Sequence, residues 1–406
     1  MAWDTARLRN GLRIIWESSD SDVVYCGYVI CAGTRHEEVG DAGMAHFIEH
    51  MTFKGTARRK SHHINNFLER VGGDLNAFTN KQETVYHATV LKSDFRRAAD
   101  LLTDIVFHST FPQSEIDKEV DVICDEIDSY KDSPADLIFD DFEAMLFRGH
   151  SLGRDILGDA HRLHEYTTAD ALRFARRYYR PSNAAFFVYG NVDFKKVVRL
   201  MESLTSDLSD ETAHFDAQTV PAYVPATQTV KKATHQAHVI IGCRGVSGRD
   251  ENLYPFILLN NILGGPGMNS LLNVRLREKS GLVYSVDSYL YTYPDTGVWE
   301  IYFGCDPADA DRCRRLVRRE LDRLIATPLT ASRLAAAKKQ LKGQTGISCN
   351  HHESYALALG KTFAHYDVHR DIRRIYDRID GVTAAQLQNV AATFFREDNI
   401  STLVYK

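Results

Sequence analysis

The chain has 406 residues, of which 44% are hydrophobic and 25% are charged, a composition typical of soluble globular proteins. This length suits two domains of about 200 residues better than a single core. The net charge of −5 provides no basic surface, so nucleic acid is not an expected partner. The longest apolar runs, such as AAFFVYG, are too short to span a bilayer, so no membrane association is expected.

The beginning of the chain and the cysteines indicate the compartment. The first twenty residues lack the basic and then apolar pattern of a secretory signal. Seven cysteines, an odd number without a C-x-x-C pair, indicate reduced thiols rather than a disulfide framework. The sequence therefore predicts a cytoplasmic protein.

The first half of the chain predicts strands and helices in a mixed order. A hairpin around Asn10-Gly11 comes first, followed by a strand that ends at Gly33 and a helix over residues 44–53. A short helix then stops at Gly72-Gly73, and the stretches DLNAFTN and ETVYHATVL predict paired strands. The remaining predicted elements are the helices FRRAADLLTDIVFHS, SEIDKEVDVICDEIDSY and TADALRFARRYY, the strand NAAFFVYGN and the helix FKKVVRLMESLTSD.

Residues 209–229 lose helical periodicity and gain Pro, Thr and Asp, which predicts a linker. It separates an N-terminal domain, residues 1–208, from a C-terminal domain, residues 230–406. The two domains show a weak internal repeat, with Pro112 and Pro328 at equivalent places before a helix. The repeat predicts two homologous α/β-roll domains in tandem, of the α+β class.

The stretch MAHFIEHMTF places His46, Glu49 and His50 on one side of the helix predicted for residues 44–53. The two histidines lie four residues apart, so both rings can reach one Zn²⁺ ion. Glu49 can approach the same point without ligating and act as a general base. The alternative is an ordinary amphipathic helix whose polar face is solvated. The opposite face carries an apolar stripe of Met44, Phe47, Ile48 and Met51.

Two histidines need a third ligand from elsewhere in the chain. The helix SEIDKEVDVICDEIDSY carries an acidic line of Glu115, Glu119 and Glu126 beside its apolar face. Glu119 and Glu126 lie two turns apart, and a nearby cation would relieve their repulsion. The alternative is again a solvated acidic edge.

The motif stretch GMAHFIEHMTFKGT resembles the inverted zinc-binding motif of the pitrilysin and insulinase family of metallopeptidases, the inverzincins. This family includes the mitochondrial processing peptidases and smaller bacterial relatives. The resemblance covers nearly the whole chain. Five further stretches resemble the family in its order: LRNGLRII, AGTRHE, GGDLNAFTNKQETVYHATV, EIDKEVDVICDEI and LREKSGLVYSVDS.

The resemblance implies roles for individual residues. It makes His46, His50 and Glu126 the Zn²⁺ ligands and Glu49 the general base. Glu119 then matches a carboxylate that orients a ligand. The second domain has no H-x-x-E-H motif, and Gly343 and Gln344 lie near the counterpart of Glu126, so one metal site per chain is expected.

The resemblance also implies residues that contact substrate. Asn76 and Ala77 match a strand whose edge pairs with the peptide backbone; the alternative is an ordinary edge strand. Arg277 and Tyr284 match a pair that reaches the scissile carbonyl, where a cation and a phenol stabilise an oxyanion. The alternative for this pair is a surface arginine and a core tyrosine.

Two further stretches contain residue types typical of binding sites. LGGPGMNSLL is either a substrate-contacting loop or a plain turn between helices. CNHHES contains Cys349, His351, His352 and Glu353, but adjacent histidines diverge on a helix or a strand, so no second metal is predicted there. The same reasoning excludes His62 and His63.

Family members enclose their substrates between two bowl-shaped halves, and this chain has domains for one half of such a clamshell. The resemblance therefore implies a homodimer in which Arg277 and Tyr284 of one chain face the Zn²⁺ of the other. The predicted function is a zinc-dependent endopeptidase or oligopeptidase that cleaves peptides or unfolded segments inside a dimeric chamber. The alternative is a non-catalytic binding or assembly subunit of the same fold. Nothing in the sequence specifies which peptides are cleaved.

Overall fold

A computed structural model describes residues 2–209, 211, 218–232 and 234–406. The described residues form two compact units, and neither is continuous in sequence. Unit 1 comprises residues through 128, 154–218 and 348–370; unit 2 comprises 129–153, 219–347 and 371–406.

The predicted linker, residues 209–229, lies partly outside the described residues, since 210 and 212–217 are not among them. Its last three residues already belong to a strand, Thr227–Val230. The division into domains 1–208 and 230–406 remains a prediction. The compact units differ from it in two segments, because residues 129–153 belong to unit 2 and residues 348–370 belong to unit 1.

Unit 1 contains a six-stranded sheet in the order β1-β2-β6-β3-β5-β4. Only β2 and β6 pair in parallel. The strands are β1 (Trp3–Arg7), β2 (Arg13–Glu17), β3 (Val23–Ile30), β4 (Asp74–Thr79), β5 (Thr84–Leu91) and β6 (Ala184–Tyr189). The predicted hairpin around Asn10-Gly11 is confirmed, with Arg7 opposite Arg13. Gly11 has φ +89°, which favours glycine.

The helices in the first half of the chain, except the one over Pro134–Leu146, pack one face of this sheet into a core. Buried side chains of β3 meet Phe47, Ile48 and Met51 from the helix that carries the H-x-x-E-H motif. The helices are α1 (Met44–Thr52), α2 (Ser61–Glu69), α3 (Phe95–Phe107), α4 (Gln113–Lys131), α5 (Pro134–Leu146), α6 (Ala160–Leu163), α7 (Thr168–Tyr178) and α8 (Phe194–Leu204).

Unit 2 contains a five-stranded sheet in the order β7-β11-β8-β10-β9. Its strands are β7 (Thr227–Val230), β8 (Ala237–Gly245), β9 (Val283–Thr292), β10 (Gly297–Cys305) and β11 (Ser401–Tyr405). The helices in the second half of the chain are α9 (Leu253–Gly264), α10 (Ala310–Ala326), α11 (Ala331–Ser348), α12 (His352–Tyr366), α13 (Ile372–Gly381) and α14 (Ala384–Phe394). Of these, α12 belongs to unit 1. A π-helix, Asn273–Glu278, precedes β9.

The two sheets repeat one topology, which confirms the predicted pair of α+β units. In each sheet a central strand (β3, β8) leads through helices to an edge strand (β4, β9) and its neighbour (β5, β10). Long helices α3 and α4 follow in the first copy, and α10 and α11 in the second. By this order, α9 is the counterpart of α1, and α11 is the counterpart of α4.

Each sheet is covered on its second face by a helix from a distant part of the chain. Helix α12 places Leu359 and Phe363 against Val29 and Phe187 of the first sheet. Helix α5 places Ile138 and Phe142 against buried side chains of the second sheet, such as Ile240. Within the described residues, every helix is too short or too polar to cross a membrane.

Candidate metal centre

The start of α1 is fixed by close backbone packing and by a buried carboxylate. Gly43, at the N-cap, has φ +83°, and a Cβ there would lie 2.8 Å from the Cα of Gly158. Glu37 accepts hydrogen bonds from the backbone N–H groups of Gly43 (3.1 Å) and Ala45 (2.9 Å). Burial raises the pKa of Glu37 to about 8 despite these hydrogen bonds.

Helix α1 buries the predicted apolar stripe completely. The other face is not simply solvated, because His46 is only 7% exposed, and Glu49 and His50 are partly buried. The solvated alternative therefore fails for His46, and the histidine face lies against other parts of unit 1.

Glu126 of α4 lies close to both histidines. Its Oε2 lies 3.8 Å from Nε2 of His46 and 3.5 Å from Nε2 of His50. One ligand atom from each of the three residues lies within 4.8 Å of the others. Ligands at roughly 2.0–2.2 Å from one tetrahedral ion are separated by about 3.4 Å, so small side-chain adjustments suffice to bring all three onto one ion.

Glu119 fixes the orientation of the His50 ring. Its Oε1 lies 3.0 Å from Nδ1 of His50, so a proton on Nδ1 leaves the lone pair of Nε2 directed toward Glu126. Lys54 forms an ion pair with the other carboxylate oxygen. Burial alone would raise the pKa of Glu119, but the hydrogen bonds from His50 and Lys54 lower it. The carboxylate is therefore charged and able to hold the tautomer.

His46 has the protonation state that a metal ligand needs. Burial, with a smaller effect from His50, lowers the pKa of His46 to about 3. Its imidazole is therefore neutral at pH 7, as coordination requires. Nδ1 of His46 is buried and has no hydrogen-bond partner among the described residues. The donor set of two neutral imidazoles and one carboxylate fits Zn²⁺.

Glu49 lies beside this cluster but is not part of it. Its Oε2 accepts a hydrogen bond of 2.5 Å from the hydroxyl of Thr79, the last residue of β4. Burial raises the pKa of Glu49; the Thr79 hydrogen bond and His50 oppose that rise, and Glu126 adds to it. The carboxylate is thus held at the end of the edge strand, close enough to both His50 and Glu126 to interact electrostatically with them.

The structure places Asn76 and Ala77 on β4, the last strand of its sheet. Asn76 is exposed and pairs with His87 of β5. Its side-chain oxygen accepts the N–H of Ala77 at 2.9 Å. The edge strand therefore leads directly to Thr79, whose hydroxyl donates to Glu49.

Arg277 and Tyr284 lie in unit 2, whereas the histidine cluster lies in unit 1. The Arg277 guanidinium lies 5.8 Å from the centre of the Tyr284 ring, a cation–π distance. Tyr284 is 85% exposed, so the alternative of a core tyrosine is wrong. Arg277 is only partly exposed, so the pair combines an exposed phenol with a half-buried guanidinium.

The CNHHES stretch has a structural role in unit 1. His352 packs edge-on against Tyr25 and Tyr189, and Glu353 lies 3.6 Å from Nδ1 of His87. In the described part of the chain, His46, His50 and Glu126 form the one His/Cys/Asp/Glu group spaced for a metal ion.

Sequence reasoning missed three residues that support the site: Glu37, Lys54 and Thr79. All three lie in stretches that carry the family resemblance, AGTRHE, HMTFKGT and DLNAFTN. No pattern within those stretches shows which side chain each one contacts. Thr79 contacts a residue thirty positions away, and only the folded sheet brings the two together.

Two family models match the chain. Residues 13–160 match the model described as Insulinase (Peptidase family M16), and residues 165–341 match that of the Peptidase M16 inactive domain. The curated relatives extend the match over nearly the whole chain. An uncharacterized zinc protease of Bacillus subtilis is 32% identical over 403 residues, which cover 98% of this chain and 96% of the relative. One from Streptomyces coelicolor is 34% identical, covering 95% of this chain and 85% of the relative.

The chain belongs to the M16, or insulinase, family of peptidases, which confirms the resemblance seen in the sequence. Two solved structures share the fold over the whole chain. A protease from Helicobacter pylori has a TM-score of 0.89 at 22% identity, covering 100% of this chain and 99% of its own. A peptidase M16 inactive domain from Pseudomonas fluorescens has a TM-score of 0.91 at 18% identity, covering 100% and 98%.

Proposed function

We propose that this protein is a zinc-dependent peptidase that cleaves peptides or unfolded segments, with a cytoplasmic location as the sequence predicts. The observation that carries the proposal is the convergence of His46, His50 and Glu126 from two helices, beside a fourth side chain, Glu49, that stays outside the cluster. The names of the curated relatives as zinc proteases support the same assignment.

His46, His50 and Glu126 are the residues that would hold Zn²⁺. A zinc ion bound there would supply Lewis-acid polarisation of a peptide carbonyl and would make a water molecule in the site more acidic. Glu49 accepts the proton from that water and delivers it to the departing nitrogen. Thr79 donates to Oε2 of Glu49 and so leaves Oε1 as the oxygen available for proton transfer.

The substrate backbone binds along β4 in this proposal. The strand is the last of its sheet, and an added peptide strand would run beside Asn76 and Ala77 toward Thr79. Main-chain pairing tolerates varied side chains. We therefore expect activity on several peptide sequences and little on folded proteins, whose backbones are already paired.

We further propose that the active form is a homodimer. The exposed Tyr284 and the neighbouring Arg277 then face the metal centre of the other chain, where a cation and a phenol stabilise the oxyanion that forms during hydrolysis. Two chains joined about a twofold axis would contain two such sites.

The Glu49→Gln variant tests the assignment of the base. We expect it to bind zinc with the same stoichiometry as the wild type and to cleave a quenched fluorescent peptide at least 100-fold more slowly, because the amide cannot accept the proton. Glu69→Gln, at an exposed position of α2, is the matched control and should leave both properties unchanged.

Chelator sensitivity separates the enzyme from the alternative of a binding subunit. A peptidase loses cleavage when a chelator removes the metal and regains it when zinc is added.

Unchanged turnover in Glu49→Gln contradicts the assigned base. A wild-type protein that contains zinc but cleaves no member of a peptide library would instead support the non-catalytic alternative.

A further inference from the structure

We propose that unit 2 contains a binding site for a small, multiply charged oxyanion, such as pyrophosphate or the phosphate groups of an ester. The site is a solvent-open cavity of about 540 Å³, lined by residues of α9, the π-helix, α10, α11 and the segments between them. This volume is within the range of ligand pockets in proteins. It contains none of the residues assigned to the proposed peptidase site.

The lining of the cavity is strongly positive. Four cationic side chains and one carboxylate line it, which gives a formal charge of 4 − 1 = +3. The carboxylate, Glu320, lies 3.7 Å from both Arg275 and Arg323, so it is shared between two cations. Lys279 and Arg333 have no carboxylate within 4.0 Å among the described residues. Both residues are exposed, and they line the solvent-open side of the cavity without a carboxylate partner in the described part of the chain.

Two polar atoms of the lining lack hydrogen-bond partners. Ser270 is 3% exposed, and its hydroxyl has no partner within the described structure. The same holds for the buried Nε of Arg275, since 3.7 Å from Glu320 is too long for a hydrogen bond. Buried donors without acceptors destabilise a fold. An oxyanion in the cavity would accept from both groups.

The internal repeat places this cavity beside the counterparts of the helices that hold the metal cluster. Helix α1 carries two histidines and α4 carries glutamates, which suit a cation. In unit 2 the counterpart of α4 is α11, which contributes Arg333 to the cavity. The π-helix that follows α9 contributes Arg275, and Lys279 directly follows it. One topology thus provides ligands for a cation in one unit and for an anion in the other.

Phosphate chemistry fits this lining better than a single carboxylate does. A guanidinium binds phosphate oxygens through two parallel hydrogen bonds, and the cavity offers three arginines and a lysine. A multiply charged ligand matches the charge of +3. The volume admits more than one phosphate group. The stretch LGGPGMNSLL, for which the sequence allowed either a substrate-contacting loop or a plain turn, contributes Ser270 to this site.

Isothermal titration of the full-length chain with sodium pyrophosphate tests the proposal. We expect saturable binding of one pyrophosphate per chain. The double variant Lys279→Gln/Arg333→Gln should bind at least tenfold more weakly, and Ser270→Ala severalfold more weakly. The control variant Arg319→Gln/Lys339→Gln removes the same charge from exposed positions of α10 and α11 outside the cavity, and should bind as the wild type does. Circular dichroism verifies that each variant is folded.

Pyrophosphate also chelates zinc, so each titration is made on the protein as purified and after removal of metal. Equal affinity in both forms supports the cavity, whereas binding seen only in the metal-containing form overturns the proposal. Equal weakening by the cavity variant and the control variant overturns it as well, as does the absence of saturable heat at millimolar pyrophosphate. Parallel titrations with orthophosphate and a nucleoside triphosphate distinguish a free anion from a phosphate ester as the preferred ligand.

Discussion

Two reactive side chains of the candidate centre, His50 and Glu49, are each held by another side chain. Glu119 holds His50 through Nδ1, and Thr79 holds Glu49 through Oε2. The supporting contacts come from α4 and β4, and the supported residues both lie on α1. The geometry of the site is therefore a property of three elements packed together, and the H-x-x-E-H motif alone does not determine it.

Replacing Thr79 by valine tests the support of Glu49. The valine keeps the shape of the side chain but removes the donor to the carboxylate. A hydrogen bond to a charged group contributes about 1.5–3 kcal/mol, so we expect peptide cleavage to fall about 10- to 100-fold. Zinc content should stay unchanged, because Thr79 contacts none of the candidate ligands.

Thr79→Ser is the matched control for that experiment, since the serine hydroxyl can make the same hydrogen bond. Cleavage rates and zinc content are measured on the same preparations. A valine variant as active as the serine variant would show that the hydrogen bond does not position Glu49.

Helical spacing placed His46, Glu49 and His50 on one helix face and offered several glutamates on a second helix, and it was the family resemblance that singled out Glu126. His46, Glu49 and His50 share a helix face, and Glu126 lies in an acidic line on a second helix. Which glutamate faces the histidines depends on how α4 packs. Glu119 approaches Nδ1 of His50 and Glu126 approaches Nε2, a distinction that periodicity cannot make.

At the level of elements, α12 connects the edge of the first sheet to a distant part of the chain. Glu83, in the turn between β4 and β5, lies 3.0 Å from both Lys361 and His365 of α12. It also accepts a hydrogen bond from Asn80 at 3.0 Å. Burial by itself would raise the pKa of Glu83, but these partners lower it to about 2.

This pKa predicts a pH-dependent contribution to stability. The folded-state pKa of Glu83 is below the unfolded value of about 4.3, so its stabilisation is complete above that value. The stabilisation is lost as the pH falls through about 4.3 toward 2. Glu83→Gln should lower the free energy of unfolding by about 1–3 kcal/mol at pH 6. The difference from the wild type should shrink as the pH falls toward 2.

Urea denaturation at a series of pH values measures this difference. Asp367→Asn, just after α12, is the control, since Asp367 is exposed and lies 3.9 Å from Arg13; it should change stability by less than about 0.5 kcal/mol. A wild-type and Glu83→Gln difference that is constant from pH 6 to pH 2 would contradict the proposed ion pairs.

The predicted elements of the first half were confirmed. The sequence did not predict that α5, from the first half of the chain, packs in unit 2, or that α12, from the second half, packs in unit 1. The confirmed elements have clear local signals, such as Asn10-Gly11 at a hairpin and alternating residues in β4 and β5. Helices α5 and α12 are amphipathic too, but their sequences do not specify which sheet they cover. That choice depends on contacts such as Phe363 with Phe187, which are remote in sequence.

At the level of the whole molecule, the two units have similar topology but different chemistry. The candidate metal ligands lie in unit 1, and Arg277 and Tyr284 lie in unit 2. A complete site in our proposal needs contributions from both kinds of unit, and the proposed homodimer provides them between chains.

Mixed dimers test this arrangement. Glu49→Gln and Tyr284→Phe chains are each expected to be impaired as homodimers. In a mixed dimer, one site combines an intact Glu49 from one chain with an intact Tyr284 from the other. Random exchange of equal amounts should therefore restore about one quarter of the wild-type activity. Activity is measured after exchange is verified with two different affinity tags.

A site completed within one chain would behave differently, because every site in the mixture would keep one of the two defects. The activity of the mixture would then equal the mean of the two variants, and the dimeric arrangement of the site would be wrong.

Zinc analysis of purified protein, by mass spectrometry of the metal content after equilibration with zinc, tests the central claim most directly. We expect one zinc ion per chain in the wild type and in Glu115→Gln, because Glu115 pairs with Lys118 away from the centre. We expect much less than one in Glu126→Gln, because two imidazoles alone do not complete the site. A wild-type chain that retains no zinc, or a Glu126→Gln chain that retains as much as the wild type, would contradict the assignment of His46, His50 and Glu126.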